Sequence, residues 1–573
     1  MPSRTPLFDT ALQQTLHELQ PGKRICPESG QPWELSVEDI ARSRNLQTPP
    51  SLLAPSVRLL HMRVFMGGPD FYLRKTGAQS LITSYDPESP LSLLSPADWN
   101  IQQLNDGFFA YARMVDLDRS FFDQWYEFSL SVPRPALLQD GKSENSDWSA
   151  YCATVKNEYY GYSSFAGENC LYCEYGYLDK NCCDVTGSDR VEWSYDSVRC
   201  DDSSQLVWCE RCTQSVNLIF CLNCDNCQDC FGSTNLRGKK NYFLNQPLST
   251  EEYKKKISEI DLGDATIVAY WKKRIQEEYW NTADRRALTL KSCEHCTGDD
   301  LIECKDTTGV SLGNSERLYD SFGTAQAKDC TSLVSSVSTE RCHYSQNIFG
   351  GYEVRFSSFC TACLDVEYSE LLTNCEHCFG CIGLTNKKFC IFNKQYTEED
   401  YWKTVDLLKT KMLERGEYGE FFPYASAFIA YNSSNADIFF PLTKQEIERR
   451  GARWFDFAQH QALNPSSQTI SVLPTKLADT TDAVLTQTFA CEKSGRLYRI
   501  VKPELEWHRK FNLALPRLHP TIRRKQRSEE MYPLNFCAVT CPECGTSTET
   551  RIPLSRGYRI LCETCYCRKQ VET

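Results

Sequence analysis

The sequence predicts a mainly β protein with accessory helices, built around two parallel β-solenoid arrays, and three observations carry that expectation. Stepping by threes from Gly309 to Leu384 visits 26 positions, none of them charged. A second run, Ser149 to Cys230 by threes, visits 28 positions of which only Glu158 and Asp179 are charged, and it takes 11 of the 12 cysteines from Cys152 to Cys230, Cys183 being the exception. The two runs are also copies of each other. Cys227 to Tyr253 lies on Cys375 to Tyr401 without a gap, matching Cys230-Phe231-Gly232 with Cys378-Phe379-Gly380, Lys239-Lys240 with Lys387-Lys388, and Asn245 with Asn393. A period of three fits neither the 3.6 of a helix nor the alternation of one strand, so it describes a repeating unit larger than either.

Within the later run the period doubles. Every sixth position from Leu312 tends to be bulky, as at Leu318, Ile348, Val354, Val366 and Leu372, while the interleaved ones, such as Gly309, Ser315, Ser321 and Gly351, are small. This hexad suggests a hexapeptide-like β-helix in which six residues form one side and three sides close a rung of about 18 residues. Cysteine pairs separated by that length, including Cys182/Cys200, Cys212/Cys230 and Cys360/Cys378, would then stack one strand spacing apart. Pairs twelve apart recur as often, so the 18-residue rung is favoured rather than settled. Each array runs into a helix start, Ser249-Thr250-Glu251-Glu252 or Thr397-Glu398-Glu399-Asp400, with a hydroxyl N-cap and an acid three residues on. A helix there caps the open end of a solenoid.

At 573 residues the chain holds several domains. Charges scattered from Met1 to Ile25, with no apolar stretch of bilayer length, predict a protein without membrane contact and a cytoplasmic location. Thirty-one cysteines, an odd number in a long chain, read as reduced thiols rather than a disulfide framework. The net charge of −12 conceals a basic C-terminus, where Cys491 to Thr573 carries 16 Lys or Arg against 9 Asp or Glu. That excludes a protein that coats nucleic acid along its whole length, and leaves room for a basic contact module.

In chain order, residues 1–20 read as a short tail or helix. Residues 21–105 form a ribbon-like module without zinc, a faded copy of the C-terminus: Cys26-Pro27-Glu28-Ser29-Gly30 parallels Cys491-Glu492-Lys493-Ser494-Gly495, and a rough alignment puts Thr76, Gln79, Ser95 and Asp98 where Cys541, Cys544, Cys562 and Cys565 stand. Residues 106–148 are a helical, aromatic segment (Phe121-Phe122, Trp125-Tyr126, Phe128) expected to pack onto the first array. The first array with its cap helix covers 149–262 and a helical connector 263–291, whose Tyr270-Trp271-Lys272-Lys273-Arg274 and Glu277-Glu278 read as a solvated face. The second array with its cap helix covers 292–416. A linker with a helix starting at Thr443 covers 417–484, and a basic zinc-ribbon module 485–573.

That last module carries the most specific chemistry. Cys541-Pro542-Glu543-Cys544 and Cys562-Glu563-Thr564-Cys565 are two knuckles at zinc-ribbon spacing. Four thiolates, Cys541, Cys544, Cys562 and Cys565, would hold one structural Zn2+ tetrahedrally with no position open for water, so the ion is not expected to be catalytic. Cys491 and His519 could be remnants of a second site. Cys293-Glu294-His295-Cys296 recurs as Cys375-Glu376-His377-Cys378, which would fit further ions in the arrays, but inward cysteines acting as small hydrophobes explain the pattern more simply.

Several stretches also resemble a known family: Ser131-Val132-Pro133-Arg134-Pro135, Asn374 to Leu384, Ile391 to Tyr396, Phe440 to Thr443, and the C-terminal ribbon. Over nearly its whole length the chain is similar to uncharacterised Cys-rich zinc-ribbon repeat proteins common in candidate-phyla bacteria. The resemblance implies the same architecture and no established activity. It also implies paired cysteines where this chain has Cys26 with Ser29 and Cys491 with Ser494.

No nucleotide-binding loop, nucleophile elbow or zincin helix is present in the sequence. His343 is the nearest approach to the base a hexapeptide acyltransferase requires. The leading expectation is a non-enzymatic, zinc-stabilised scaffold that offers its solenoid faces, rich in Tyr, Asn, Asp and Glu, to a protein or another macromolecule. The alternative is RNA or DNA contact through Arg509, Lys510, Arg517, Arg523, Arg524, Lys525 and Arg527, with Trp507 and Phe511 stacking bases.

Overall fold

The computed structural model describes residues 3–77, 79–305, 307–310, 318–319, 321–322, 325–328, 330–331, 336–340, 348–457, 459–460 and 470–572. The chain is mixed α/β, with two seven-stranded sheets. It divides into two units, each discontinuous in sequence. One comprises Met1–Gly68, Tyr72–Ala136 and Leu288–Phe455, the other Pro69–Phe71, Leu137–Ala287 and Asp456–Thr573. The linear order of domains read from the sequence thus maps onto two bodies, each holding one array and most of one hairpin-and-helix module.

In the unit that contains the first array, the period of three is a backbone conformation. Asn157, Tyr160, Ser163, Ala166 and Asn169, and nearly every third residue onward to Asn235, have φ near +55°. Each triplet therefore consists of an inward residue, an outward residue in extended conformation, and a left-handed corner that turns the chain. Parallel partners lie 12 residues apart: Ser204↔Val216, Leu218↔Cys230 and Cys230↔Tyr242 in the sheet, Phe165↔Tyr177 and Lys180↔Glu192 on other sides. The 18-residue rung favoured by the hexad is corrected by this register. A six-residue side would have to run straight through its middle, whereas a corner at each third residue returns the chain after four triplets.

Left-handed backbone costs most residues about 1–2 kcal/mol and Asn least, because its side chain bonds locally. Asn145, Asn157, Asn169 and Asn181 accordingly form a ladder of amide-to-amide bonds of 2.8, 2.8 and 3.1 Å. Bulkier corners are compensated by packing: Trp208 stacks on Phe220 with ring centroids 4.6 Å apart.

The inward row is narrow and polar enough to explain its cysteines and serines. Cys221 donates its thiol to the carbonyls of Ile219 and Cys230, both at 3.5 Å, and Ser215 donates to Thr213 at 2.8 Å while accepting the Cys227 N–H at 3.0 Å. Small side chains with one weak donor fit where larger ones could not. No disulfide occurs among the described cysteines, and burial holds the Cys152 and Cys183 thiols well above their ordinary pKa.

The array ends by a device the sequence showed without explaining. One coil earlier, the Leu222 N–H donates to the Ser233 carbonyl 11 residues on; Thr234 repeats the bond, but to the side-chain Oδ1 of Asn245, at 2.8 Å. The amide of Asn245 thus replaces a backbone carbonyl that the missing coil would have supplied. The chain then folds back through Gln246–Pro247, antiparallel to Lys240–Phe243, and enters the cap helix Thr250–Ser258 through the Ser249/Glu252 capping box. The following helix, Ala265–Ile275, buries only Val268 and Ile275: Tyr270, Lys272, Lys273, Glu277 and Glu278 stay exposed, as the solvated face read from the sequence requires, while Trp271 meets Phe231 at 5.0 Å and Lys272 pairs with Asp196 at 2.8 Å.

The other unit repeats these rules. Val354↔Val366 and Cys378↔Cys390 are again 12 apart. Asn393 Oδ1 accepts the Ile382 N–H at 2.8 Å, and its amide donates to the carbonyls of Ile382 and Phe108. The Asp400 N–H donates to the hydroxyl of the N-cap, Thr397, opening the helix Glu398–Glu414. The helix Phe121–Ser131, expected on the first array, lies on the second, where Phe121 stacks on Phe392 at 5.5 Å and meets Phe379 edge-on. Of the two readings of residues 1–20, tail or helix, the structure has the helix: Pro6–Glu18 buries Phe8, Leu12 and Leu16, with the Phe8 N–H bonded to Asp406 at 2.8 Å. His343 and Cys342 lie outside the described residues.

Two predictions follow from these ends and interiors. Asn245→Ala and Asn393→Ala each leave a backbone N–H without its acceptor and should cost about 1–3 kcal/mol in urea unfolding, with the larger loss at the fully buried Asn393. Glu158 is a charged type on the inward row; burial pushes its pKa up to about 7 from 4.5, the nearby Asp179 adds to the rise, and the Ser164 hydroxyl and Cys152 thiol beside it only partly offset it. A carboxyl whose folded pKa is raised destabilises the fold only when ionised, so stability should be fullest below about pH 4.5 and fall as pH rises towards 7. Glu158→Gln should flatten this decline by up to roughly 3 kcal/mol, read from unfolding at pH 5 and pH 8.

Candidate metal centre

The C-terminal cysteines are brought together by two unlike pieces of backbone. The first pair sits on the turn of a hairpin, Cys537–Thr540 with Ser547–Thr550, whose knuckle is closed by Cys541 N–H to Thr546 O and Gly545 N–H to Cys541 O, both 2.9 Å. Gly545 holds φ +76°, which the turn requires and a side chain would resist. The second pair is not a matching knuckle. Cys562 lies between the strand Arg559–Leu561 and the helix Glu563–Glu572, and Cys565 lies in the first turn of that helix, so a helix N-terminus faces the hairpin.

One ligand atom from each of Cys541, Cys544, Cys562 and Cys565 lies within 4.8 Å of all the others, and this is the one such group among the described residues. The Cys544 and Cys562 sulfurs are 3.7 Å apart. Sulfurs about 2.3 Å from a tetrahedral ion would be about 3.8 Å from each other, so the group can hold a metal ion. Arg568 reaches the Cys565 sulfur at 4.0 Å and would offset thiolate charge. Three of the four cysteines are buried and Cys544 is exposed.

Sequence reasoning missed the support around the knuckles. Strand Asp284–Arg286, from what read as a helical connector, pairs in parallel with Arg559–Leu561. Arg286 grips Glu563 with two bonds, and Arg559 and Lys569 are shared between Asp284 and Glu543, the latter inside the first knuckle. The run Asp284-Arg285-Arg286 was the available signal, but charges alone do not reveal their partners.

The knuckle also occurs twice without its metal ligands. Cys491 N–H bonds Arg496 O and Gly495 N–H bonds Cys491 O; Cys26 N–H bonds Gln31 O and Gly30 N–H bonds Cys26 O. Both repeat the geometry of Cys541. Opposite them stand the helix starts His519-Pro520 and Ala54-Pro55, in the place of Cys562. His519 uses Nδ1 to accept the Thr521 N–H at 3.1 Å, so it serves as an N-cap there. The module copies agree element by element, and Ser95 with Asp98, aligned to Cys562 and Cys565, opens the helix Pro96–Leu104.

The basic residues proposed for nucleic acid are placed otherwise than a phosphate-tracking stripe needs. Arg523 and Arg527 are buried: Arg523 binds Asp184 and Glu504 and lies over the Tyr172 ring, while Arg527 binds Asp184 at 2.7 Å and the Thr186 hydroxyl at 3.0 Å. Arg524 faces Glu174 and Asp70. Burial pushes the Asp196 carboxyl up, yet Lys272 and Arg527 together hold it below the usual range. Arg509 pairs with Asp482, and Arg517 with Glu492 and the carbonyls of Leu473 and Pro474. Lys510 lies over Trp193, and Lys525 is exposed. Trp507 is buried and donates to Asn181 O at 3.0 Å, so it packs on the array instead of offering a face to bases.

Comparison with protein-family models, with curated proteins and with solved structures finds no match. Among the described residues, no helix is long and apolar enough to cross a membrane.

Metal analysis by mass spectrometry on protein purified without added metal should find about one ion per chain. Cys544→Ser should remove it and lower the unfolding midpoint, whereas Cys567→Ser, a change at an exposed thiol beside the group, should leave both unchanged. An equal loss from both variants would refute the four-cysteine assignment.

Proposed function

We propose that the chain is a non-enzymatic scaffold in which two four-sided solenoids of 12-residue coils offer flat walls to a protein partner, and in which Cys541, Cys544, Cys562 and Cys565 hold one structural zinc. The four-thiolate set favours zinc, and a closed coordination shell suits support over catalysis.

The observation that carries the reading is an uncovered wall of the first array. Phe165 and Tyr177 stand one coil apart, stacked with centroids 5.4 Å apart at 10°, and remain 41% and 44% exposed. The same row continues through Asp189, Asp201, Thr213 and Asp225, joined by 12-residue bridges. Paired aromatic rings running into a row of carboxylates make a surface suited to a partner with apolar and basic groups. The opposite charge is used elsewhere: the carboxylates that hold Arg523, Arg524 and Arg527 weigh against the reading of the C-terminal module as an RNA or DNA binder.

Proximity labelling with the full chain in its native host should enrich a defined protein partner. Phe165→Asp with Tyr177→Asp should abolish that enrichment with the unfolding free energy changed by no more than about 0.5 kcal/mol, because both rings are exposed. Enrichment that survives the double variant would overturn the assignment of the wall. RNA or DNA binding that falls steeply with salt would favour the nucleic-acid reading instead.

A further inference from the structure

A cavity of about 420 Å³ lies beside the metal centre, between the last coil of the first array, the π-helical turn Gln276–Trp280 and the helix Glu563–Glu572. Asn235 and Asn245 line it from the array, Tyr279 from the π-helical turn, and Tyr566, Lys569 and Gln570 from the helix. π-helical turns are rare and are found most often at functional sites. The size falls in the lower part of the range of small-molecule sites.

The lining selects against charge. Lys569 and Asp284, its cation and its carboxylate, lie 3.3 Å apart; Lys569 is also 3.0 Å from Glu543, and Asp284 is also bound by Arg559. A phosphate or carboxylate would have to break these pairs, and a cation would compete with them. The remaining polar groups are amides, phenols and two hydroxyls, of which Thr234 accepts from the Asn245 amide at 3.1 Å and Thr282 donates to the carbonyls of Glu278 and Tyr279. Asn235 Oδ1 accepts from Asn223 at 3.1 Å and from the Tyr566 hydroxyl at 3.4 Å, and that hydroxyl accepts from Gln570 at 3.0 Å. This chain of bonds fixes the two side chains and leaves the Asn235 amide N–H groups, the Gln570 carbonyl and the Tyr279 hydroxyl without a partner among the described residues. Donors and acceptors alternate, as needed to bind hydroxyl groups, which do both. The rings of Tyr279 and Tyr566 add apolar surface beside them.

We propose that this cavity binds a neutral saccharide of one or two pyranose rings. The site is distinct from the exposed wall of the array, so it stands or falls apart from the scaffold reading.

The test uses the full metal-loaded chain, with glucose, galactose, mannose, N-acetylglucosamine, maltose and cellobiose as probes and adenosine and glycylglycine as neutral competitors. Saturation-transfer NMR and calorimetry should show saturable binding of at least one saccharide with a Kd on the order of 1 mM or tighter. Tyr279→Ala and Asn235→Gly, the latter retaining a residue tolerant of φ +57°, should each weaken it about tenfold or more while metal content and far-UV circular dichroism stay unchanged. Saturable binding of adenosine or glycylglycine with none of any sugar would overturn the proposal. So would absence of binding to every probe, or sugar binding that neither substitution alters.

Discussion

The structure depends on one constraint, a left-handed corner at every third residue from Asn157 to Asn235 and from Glu353 to Phe392. The corners are individually unfavourable for L-residues, and nothing local holds most of them in place. What holds them is the partner coil: each corner's neighbours donate and accept backbone bonds 11 to 13 residues away, as where Lys156 N–H meets Gly167 O and Asn157 N–H meets Glu144 O. A single coil would carry the cost without the bonds, so the arrays are stable only as stacks. The narrow interior follows from the same geometry. Three residues per side leave room for thiols, hydroxyls and small aliphatic groups, which is why the cysteine count is high.

Seen this way, the accessory elements answer one question, which is how to treat the walls and ends of a stack. In the unit holding the first array, the helices Ala265–Ile275, Lys502–Phe511 and Pro520–Glu529 press aromatic and basic side chains against one wall. Arg523 and Arg527 replace solvent for carboxylates that the coils bury, and removing either guanidinium would leave a charge stranded. The four-cysteine group stands at the end of the same segment. Its strand Arg559–Leu561 is tied to Asp284–Arg286, so folding of the knuckles and docking of the connector are coupled.

Much of this was legible in the sequence. The inward phase, the duplication, the cap boxes at Ser249 and Thr443 and the four-cysteine group follow from spacing, because small inward residues, N-caps and metal ligands are each fixed by local chemistry. The coil length was not, because cysteines at separations of 12 and 18 satisfy a period of three equally, and the deciding fact is a backbone angle rather than a side-chain type. The partners of the basic cluster were hidden for a related reason. Arg523, Arg524 and Arg527 share one helix and read as a stripe, but their acids come from coils far away in sequence. The helix Phe121–Ser131 was assigned to the wrong array because adjacency along the chain does not decide partnership in a discontinuous unit.

The Asn245 and Asn393 caps have a consequence for how such chains can change over time. A terminator that copies a backbone carbonyl with a side chain works at whatever coil it follows, since it reads only the last exposed N–H. Length is therefore uncoupled from termination. Whole 12-residue coils could be gained or lost upstream while the cap, the hairpin and the capping helix are kept, so wall area can vary by fixed increments without any redesign of the ends.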